Sequence, residues 1–251
     1  VQLADSATTE WVRRYHTAPG NTTRLVCFPH AGGSASFFHP MSARHSPGVD
    51  VVALQYPGRQ DRRREPCIAT ISALADVIAG ELRSLSEKPT IFFGHSMGAV
   101  LAFEVARRLE HNGPGAPKAI IASGRRGPST QRDEKVHLGS DDDVIADIKL
   151  LNGTDISLLN DELMQLALPA IRSDYRAIET YTCEAGRAVR CSITAMTGDA
   201  DPKTTVDEAR AWDSHTEGSF RVDVYTGGHF FIVEHQVAVN DEIARQLKAL
   251  A

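Results

Sequence analysis

Short runs of apolar and β-branched residues recur along the chain at 24–28, 50–55, 89–93, 118–122, 190–196 and 220–225. Each has the length of one strand, and several end at Gly or Pro, which predicts strands closed by turns. Between them, apolar residues three and four apart predict helices over 71–85, 97–109, 206–215 and 233–250. Strands alternating with helices imply the α/β class, a mostly parallel sheet covered on both faces. The alternation fails once. From about 125 to 181 there are only polar turns and amphipathic patches, such as Val144, Ile145, Ile148 and Leu151, then Leu163, Leu166 and Ile171. A helical insertion between two strands at the sheet's C-terminal edge would lie over any site built there, so this segment is expected to be a lid.

Length and composition narrow the picture without changing it. The 251 residues suit a single α/β domain over 1–251 with that insertion inside it. Hydrophobic residues make up 42% and charged residues 24%, and no run approaches the roughly 18 apolar positions a bilayer crossing needs. A net charge of -5 speaks against a nucleic-acid binder, which must neutralise phosphates. Residues 1–14 carry Asp5, Glu10, Arg13 and Arg14 and lack the basic start and apolar stretch of a secretory signal, so the cytosol is the expected compartment. Cys27, Cys67, Cys183 and Cys191 form no C-x-x-C pair and are too few for a disulfide framework; reduced, mostly buried thiols are expected.

Chemistry concentrates at Gly94-His95-Ser96-Met97-Gly98, a G-x-S-x-G pentapeptide with a strand pattern before it and a helix pattern after it. That context is a nucleophile elbow of the α/β-hydrolase type, a turn sharp enough to lift the Ser96 hydroxyl above the sheet edge. A serine hydroxyl needs a base, and on this fold the acid and then the base follow the serine in the chain. His229, in Gly227-Gly228-His229-Phe230-Phe231 directly after the strand at 220–225, is the expected base. His215 falls within a helix pattern and His235 lies one turn into the last one, where solvated or capping roles are expected. The strand before leads into Gly198-Asp199-Ala200-Asp201-Pro202. Asp201, one step further out and held by Pro202, is preferred over Asp199 as the carboxylate that orients His229. Two backbone N–H groups should face the developing oxyanion, one from Met97 and one from Ala31 in the small-residue loop Pro29-His30-Ala31-Gly32-Gly33. His30 is then a hydrogen-bonded loop residue. Spacing offers no metal site and no phosphate loop.

Together with Tyr56-Pro57-Gly58-Arg59, these segments closely resemble the type II thioesterases of polyketide and nonribosomal peptide assembly lines, over about 24–247. The resemblance implies an editing enzyme that hydrolyses stalled or aberrant acyl groups from the phosphopantetheine arm of acyl or peptidyl carrier proteins. It implies the triad Ser96, Asp201 and His229, a helical lid shaping an acyl chamber, and no cofactor beyond the arm carried by the substrate. A monomer is favoured. Phe37 and Phe38, just after the oxyanion loop, either line the acyl channel or fill the core. Arg59 and the Arg62-Arg63-Arg64 run either meet an acidic carrier protein or form a solvated loop. An oxyester hydrolase or acyltransferase with the same triad, or a non-catalytic binding protein of this fold, are the competing readings.

Overall fold

The computed structural model describes residues 9–18, 20–85, 87–112, 115–152, 161–183 and 186–250. Its centre is a seven-stranded sheet: β1 (Val12–Arg13), β2 (Arg24–Phe28), β3 (Asp50–Leu54), β4 (Thr90–His95), β5 (Ala119–Ser123), β6 (Ser192–Gly198) and β7 (Phe220–Tyr225), in the order β1-β3-β2-β4-β5-β6-β7. All neighbours pair in parallel except β1, which runs antiparallel to β3. Two residues are too few for an alternation to register, which is why β1 escapes the sequence pattern.

Both faces of the inner strands are buried, so those strands read as unbroken apolar runs. Val26, Phe28, Val52 and Phe92 face α2 (Ile71–Arg83) and α3 (Met97–Asn112). Leu25, Cys27, Ile91 and Phe93 face the opposite way, with Met41 of α1 (His39–His45) and Val239, Ile243 and Leu247 of α8 (Gln236–Lys248). Thr70 caps α2 by accepting the Ala73 N–H at 3.3 Å. Helix α1 is a further element absent from the sequence pattern, because its seven residues present little apolar periodicity.

The insertion between β5 and β6 is helical, built on α4 (Asp141–Asn152) and α5 (Asp161–Glu179). Val144, Met164, Leu168, Ile171 and Tyr175 form a small core of their own that also touches Ala31.

Two expected helices are each broken. The 206–215 pattern is α6 (Val206–Arg210), started by a capping box between Thr205 and Glu208, followed by a 3₁₀ segment Ala211–His215. The tighter winding seats Trp212 fully inside, its Nε1–H donating to the Arg125 carbonyl at 2.8 Å. The last pattern is α7 (Phe231–Glu234) and α8, separated at His235, whose Nε2–H donates to the Thr226 carbonyl at 2.8 Å.

His215 is therefore not a solvated residue. It is fully buried; its Nδ1–H donates to the Arg187 carbonyl at 2.7 Å, which leaves Nε2 to accept from the Ser129 hydroxyl at 2.8 Å. Of the cysteines, Cys27 and Cys191 are buried and Cys67 and Cys183 half-buried.

Burial holds the His215 and His45 rings below the ordinary histidine range. An unfolded chain therefore takes up protons at these rings near pH 6.5 before the folded one does, and stability drains away as pH falls through that value. The midpoint of thermal unfolding should decline steadily from pH 7.5 to 5, with a shallower slope in a His215→Gln variant. A flat profile, or equal slopes, would contradict this account.

Candidate active site

Strand β4 and helix α3 meet at Ser96, which adopts a left-handed backbone with φ of 54°, unusual for any residue but glycine. The flanking glycines are required by contact. A Cβ on Gly94 would overlap the Gly98 carbonyl, and a Cβ on Gly98 would overlap the carbonyl of Phe28 at the end of β2. The Ser96 N–H donates to the Ser123 carbonyl at 2.8 Å, and the Ser96 carbonyl accepts the Ala99 N–H at 3.0 Å. Met97 opens α3, so its N–H belongs to the first helical turn, whose donors have no intrahelical acceptor.

His229 is 2% exposed, and its Nδ1–H donates to Asp201, 2.8 Å from Oδ2 and 3.0 Å from Oδ1. Asp201 is itself held by the Lys203 N–H at 2.8 Å. The Asp199 carboxylate is used elsewhere, accepting the Gly227 N–H at 2.9 Å and shaping the turn before the histidine. The tautomer that leaves Nε2 of His229 free to accept is thus set by Asp201.

Behind His229 lies His95, fully buried, with ring centroids 5.0 Å apart. Burial first, then the charge of His229 and His30, holds His95 well below its ordinary range. His30 does not behave as a hydrogen-bonded loop residue. Its Nδ1 is buried with no hydrogen-bond partner among the described residues, and its ring packs edge-on to Phe37 and Phe230 at 4.8 and 4.9 Å. Burial, reinforced by His229 and Arg59, pushes it down to about 3. Both rings are held neutral beside His229.

The loop after β2 closes as a tight turn, with the Gly33 N–H donating to the His30 carbonyl at 2.9 Å and Gly32 at φ of +74°, a value suited to glycine. Here the structure adds a residue that the sequence pattern does not mark. Asp174 of α5, 1% exposed, accepts the Gly32 N–H at 2.8 Å. The same carboxylate takes both Arg59 nitrogens at 2.6 and 3.0 Å, and Arg59 Nη1 also donates to the Gly33 carbonyl at 3.1 Å. One buried ion pair therefore fastens the insertion to the loop carrying Ala31.

Residues 23–249 match the family model described as a thioesterase domain. The chain belongs to the thioesterase family. A probable cadicidin biosynthesis thioesterase of Streptomyces griseus is 59% identical over 248 residues, covering 98% of this chain and 68% of that protein. Thioesterase PikA5 of Streptomyces venezuelae is 44% identical over 239 residues, covering 94% and 85%. The solved structure of the type II thioesterase BorB, from the borrelidin biosynthetic cluster, is 48% identical and superposes with a TM-score of 0.91, covering 96% and 99%. This thioesterase is accordingly a serine hydrolase of the α/β-hydrolase fold, acting on thioesters.

Above Ser96 the thioesterase carries an open cavity of about 720 Å³ bordered by Ala31, Ser96 and His229. Its apolar wall comes from the insertion, including Ile148, Leu151, Met164, Ala167 and Ile171. Phe37 and Phe38 do not border it. Phe38 is fully buried and packs edge-on to Phe93 in the core at 6.0 Å, while Phe37 supports His30 from behind. Two of the four arginines, Arg59 and Arg62, are structural too. Arg59 is committed to Asp174, and Arg62 lies over the Trp11 ring at 4.4 Å and pairs with Glu65, which leaves Arg63 and Arg64 exposed.

Removing the Asp174 carboxylate would strand a buried guanidinium, a change worth about 3–5 kcal/mol. Asp174→Ala should lose stability of that order in urea unfolding, and kcat should fall as the Gly32 amide loses its acceptor. A loss below about 0.5 kcal/mol, the scale of an ordinary surface change, would show that the pair does not fasten the loop.

Proposed function

We propose that this thioesterase hydrolyses stalled or aberrant acyl groups from the phosphopantetheine arm of acyl or peptidyl carrier proteins, in polyketide or nonribosomal peptide assembly. The observation that carries this reading is the Asp201-bound His229 and the elbow residue Ser96 sharing one cavity roofed by apolar side chains of the insertion. Such a chamber accepts an acyl chain and shields the reacting carbonyl from bulk water. Support for the pathway comes from relatives: BorB belongs to the borrelidin cluster, and YbtT, 30% identical with a TM-score of 0.84, is a type II thioesterase of the yersiniabactin pathway. The same unit also matches 17% of phenyloxazoline synthase MbtB, at 36% identity over 99% of this chain.

In the proposed cycle, Ser96 Oγ attacks the thioester carbonyl while His229 Nε2 takes its proton and Asp201 steadies the imidazolium. The Ala31 and Met97 N–H groups stabilise the oxyanion; each such donor is typically worth about a hundred- to a thousandfold in rate. The C–S bond breaks, the pantetheine sulfur leaves with the proton from His229, and the acyl group stays on Ser96. Water, deprotonated by His229, then attacks the acyl ester; the acid departs and Ser96 recovers its proton. The chemistry needs no cofactor beyond the arm on the substrate. Exposed Arg63 and Arg64 offer positive charge to an acidic carrier protein, which would chiefly speed encounter. No helix among the described residues is long and apolar enough to cross a membrane.

Ser96→Ala should abolish turnover of acyl-carrier protein, and Asp201→Asn should lower kcat by about ten-thousandfold, the loss seen when a triad base is held in the wrong tautomer. Hydrolysis of acyl-carrier protein, acyl-CoA and matched nitrophenyl esters should favour the carrier-bound thioester. A strong preference for the plain oxyester, or transfer of the acyl group to an alcohol in place of water, would replace this reading with its rivals.

A further inference from the structure

The cavity above Ser96 has a charged region as well as an apolar one, where Arg125, Glu134, Glu179 and Lys203 border it. Three of these four groups are already matched. Glu134 pairs with Arg126 at 2.6 Å and Lys203 at 3.6 Å, and Lys203 also meets Asp147 at 2.8 Å. Glu179 accepts the Val136 and His137 N–H groups at 3.1 and 3.0 Å and pairs with the His137 ring at 2.5 Å. Arg125 is different. It is 9% exposed, and among the described residues no carboxylate, carbonyl or hydroxyl hydrogen-bonds its guanidinium.

Its position is well defined, because the Trp212 Nε1–H holds its carbonyl and Gly124 before it lies against the triad. A Cβ on Gly124 would sit 3.5 Å from His229 Cε1. Burial, with repulsion from Arg126, pushes Arg125 down to about 9, which leaves it protonated at neutral pH. A guanidinium kept charged and out of water wants planar oxygen acceptors, and its fork suits one or two of them. The phosphate of the arm is a full pantetheine length from the reacting thioester, and the amide carbonyls of the arm are the same in every substrate, so a contact from Arg125 that discriminates among substrates is made to the acyl group.

We propose that Arg125 is a specificity-determining contact for an oxygen acceptor on the acyl chain, a 3-oxo carbonyl or a terminal carboxylate. The enzyme then favours such oxygenated acyl thioesters over plain alkyl ones of equal length. This rests on the reading of Ser96 as the nucleophile of a thioesterase.

The test compares kcat/KM for butyryl, 3-oxobutyryl and succinyl thioesters of pantetheine in the native enzyme, Arg125→Met and Arg125→Lys. An oxygenated substrate should lead butyryl by about tenfold or more in the native enzyme, the scale of one hydrogen bond to a charged group. That ratio should collapse in Arg125→Met and partly return in Arg125→Lys. Collapse of the succinyl ratio alone identifies a carboxylate, and of the 3-oxobutyryl ratio alone a carbonyl. A native ratio near one, or a ratio that survives in Arg125→Met, overturns the proposal. Inhibition of the unaltered enzyme by free acids gives an answer that does not depend on how the variants fold: succinate or acetoacetate should inhibit more strongly than butyrate, and equal inhibition counts against Arg125. If the native enzyme hydrolyses none of the thioesters yet cleaves oxyesters, the thioesterase reading fails, and this inference with it.

Discussion

Three backbones crowd together at the head of α3, and the site is organised around that crowding. The Gly98 α-carbon lies against the Phe28 carbonyl at the end of β2, while Gly94 at the end of β4 lies against Gly98 itself. No side-chain carbon fits at either glycine, and the residue between them is driven into a left-handed conformation at φ of 54°. Strain of this kind persists only when its surroundings over-determine it. Here the paired strands β2, β4 and β5, with the apolar seam between α3 and the sheet, supply the constraint. Because Phe28 is also where the loop to Ala31 begins, the same contact that raises the Ser96 hydroxyl sets the origin of the oxyanion loop.

Electrostatics around the base follow from burial more than from pairing. Three imidazoles stand together, His30, His95 and His229, with neighbouring ring centroids 5.0 and 5.9 Å apart. Only His229 has a carboxylate partner. Without one, desolvation keeps the other two neutral, so His229, the base of the proposed cycle, is not opposed by adjacent positive rings. Aromatic edges from Phe37 and Phe230 complete the packing that makes this possible.

The parts of the site that were legible in the sequence are those fixed by local geometry and chain order. Gly94-His95-Ser96-Met97-Gly98 declares a turn because Gly94 has to clear Gly98 only four residues on, and Asp201 and His229 each follow directly on a readable strand. Preference for Asp201 over Asp199 also has a local cue in Pro202, whereas the use of Asp199 to hold the Gly227 amide, 28 positions on, is visible only in the structure. The long-range features left no such mark. Asp174 is one acidic residue inside a helix, and its partner Arg59 lies 115 positions away. Phe37 and Phe38 follow the oxyanion loop in sequence, but a 3₁₀ turn over Ala35–Phe38 sends Phe38 into the core instead of the chamber. His215 looks like a helix-surface residue until the 3₁₀ winding after α6 turns it inward. In each case the deciding partner comes from another element, which periodicity along one segment does not record.

The reacting groups ride on the turns after β4, β6 and β7, whereas most of the apolar wall comes from the segment between β5 and β6. Those two inheritances are separable: substitutions at Ile148, Leu151 or Met164 can reshape what fits inside while the hydrogen bonds of the triad stay intact. A lineage can therefore diversify its cargo by drift within one stretch of the gene, with the cleavage machinery held constant. Asp174 marks where that freedom stops, because it is the position within that stretch on which the oxyanion loop leans.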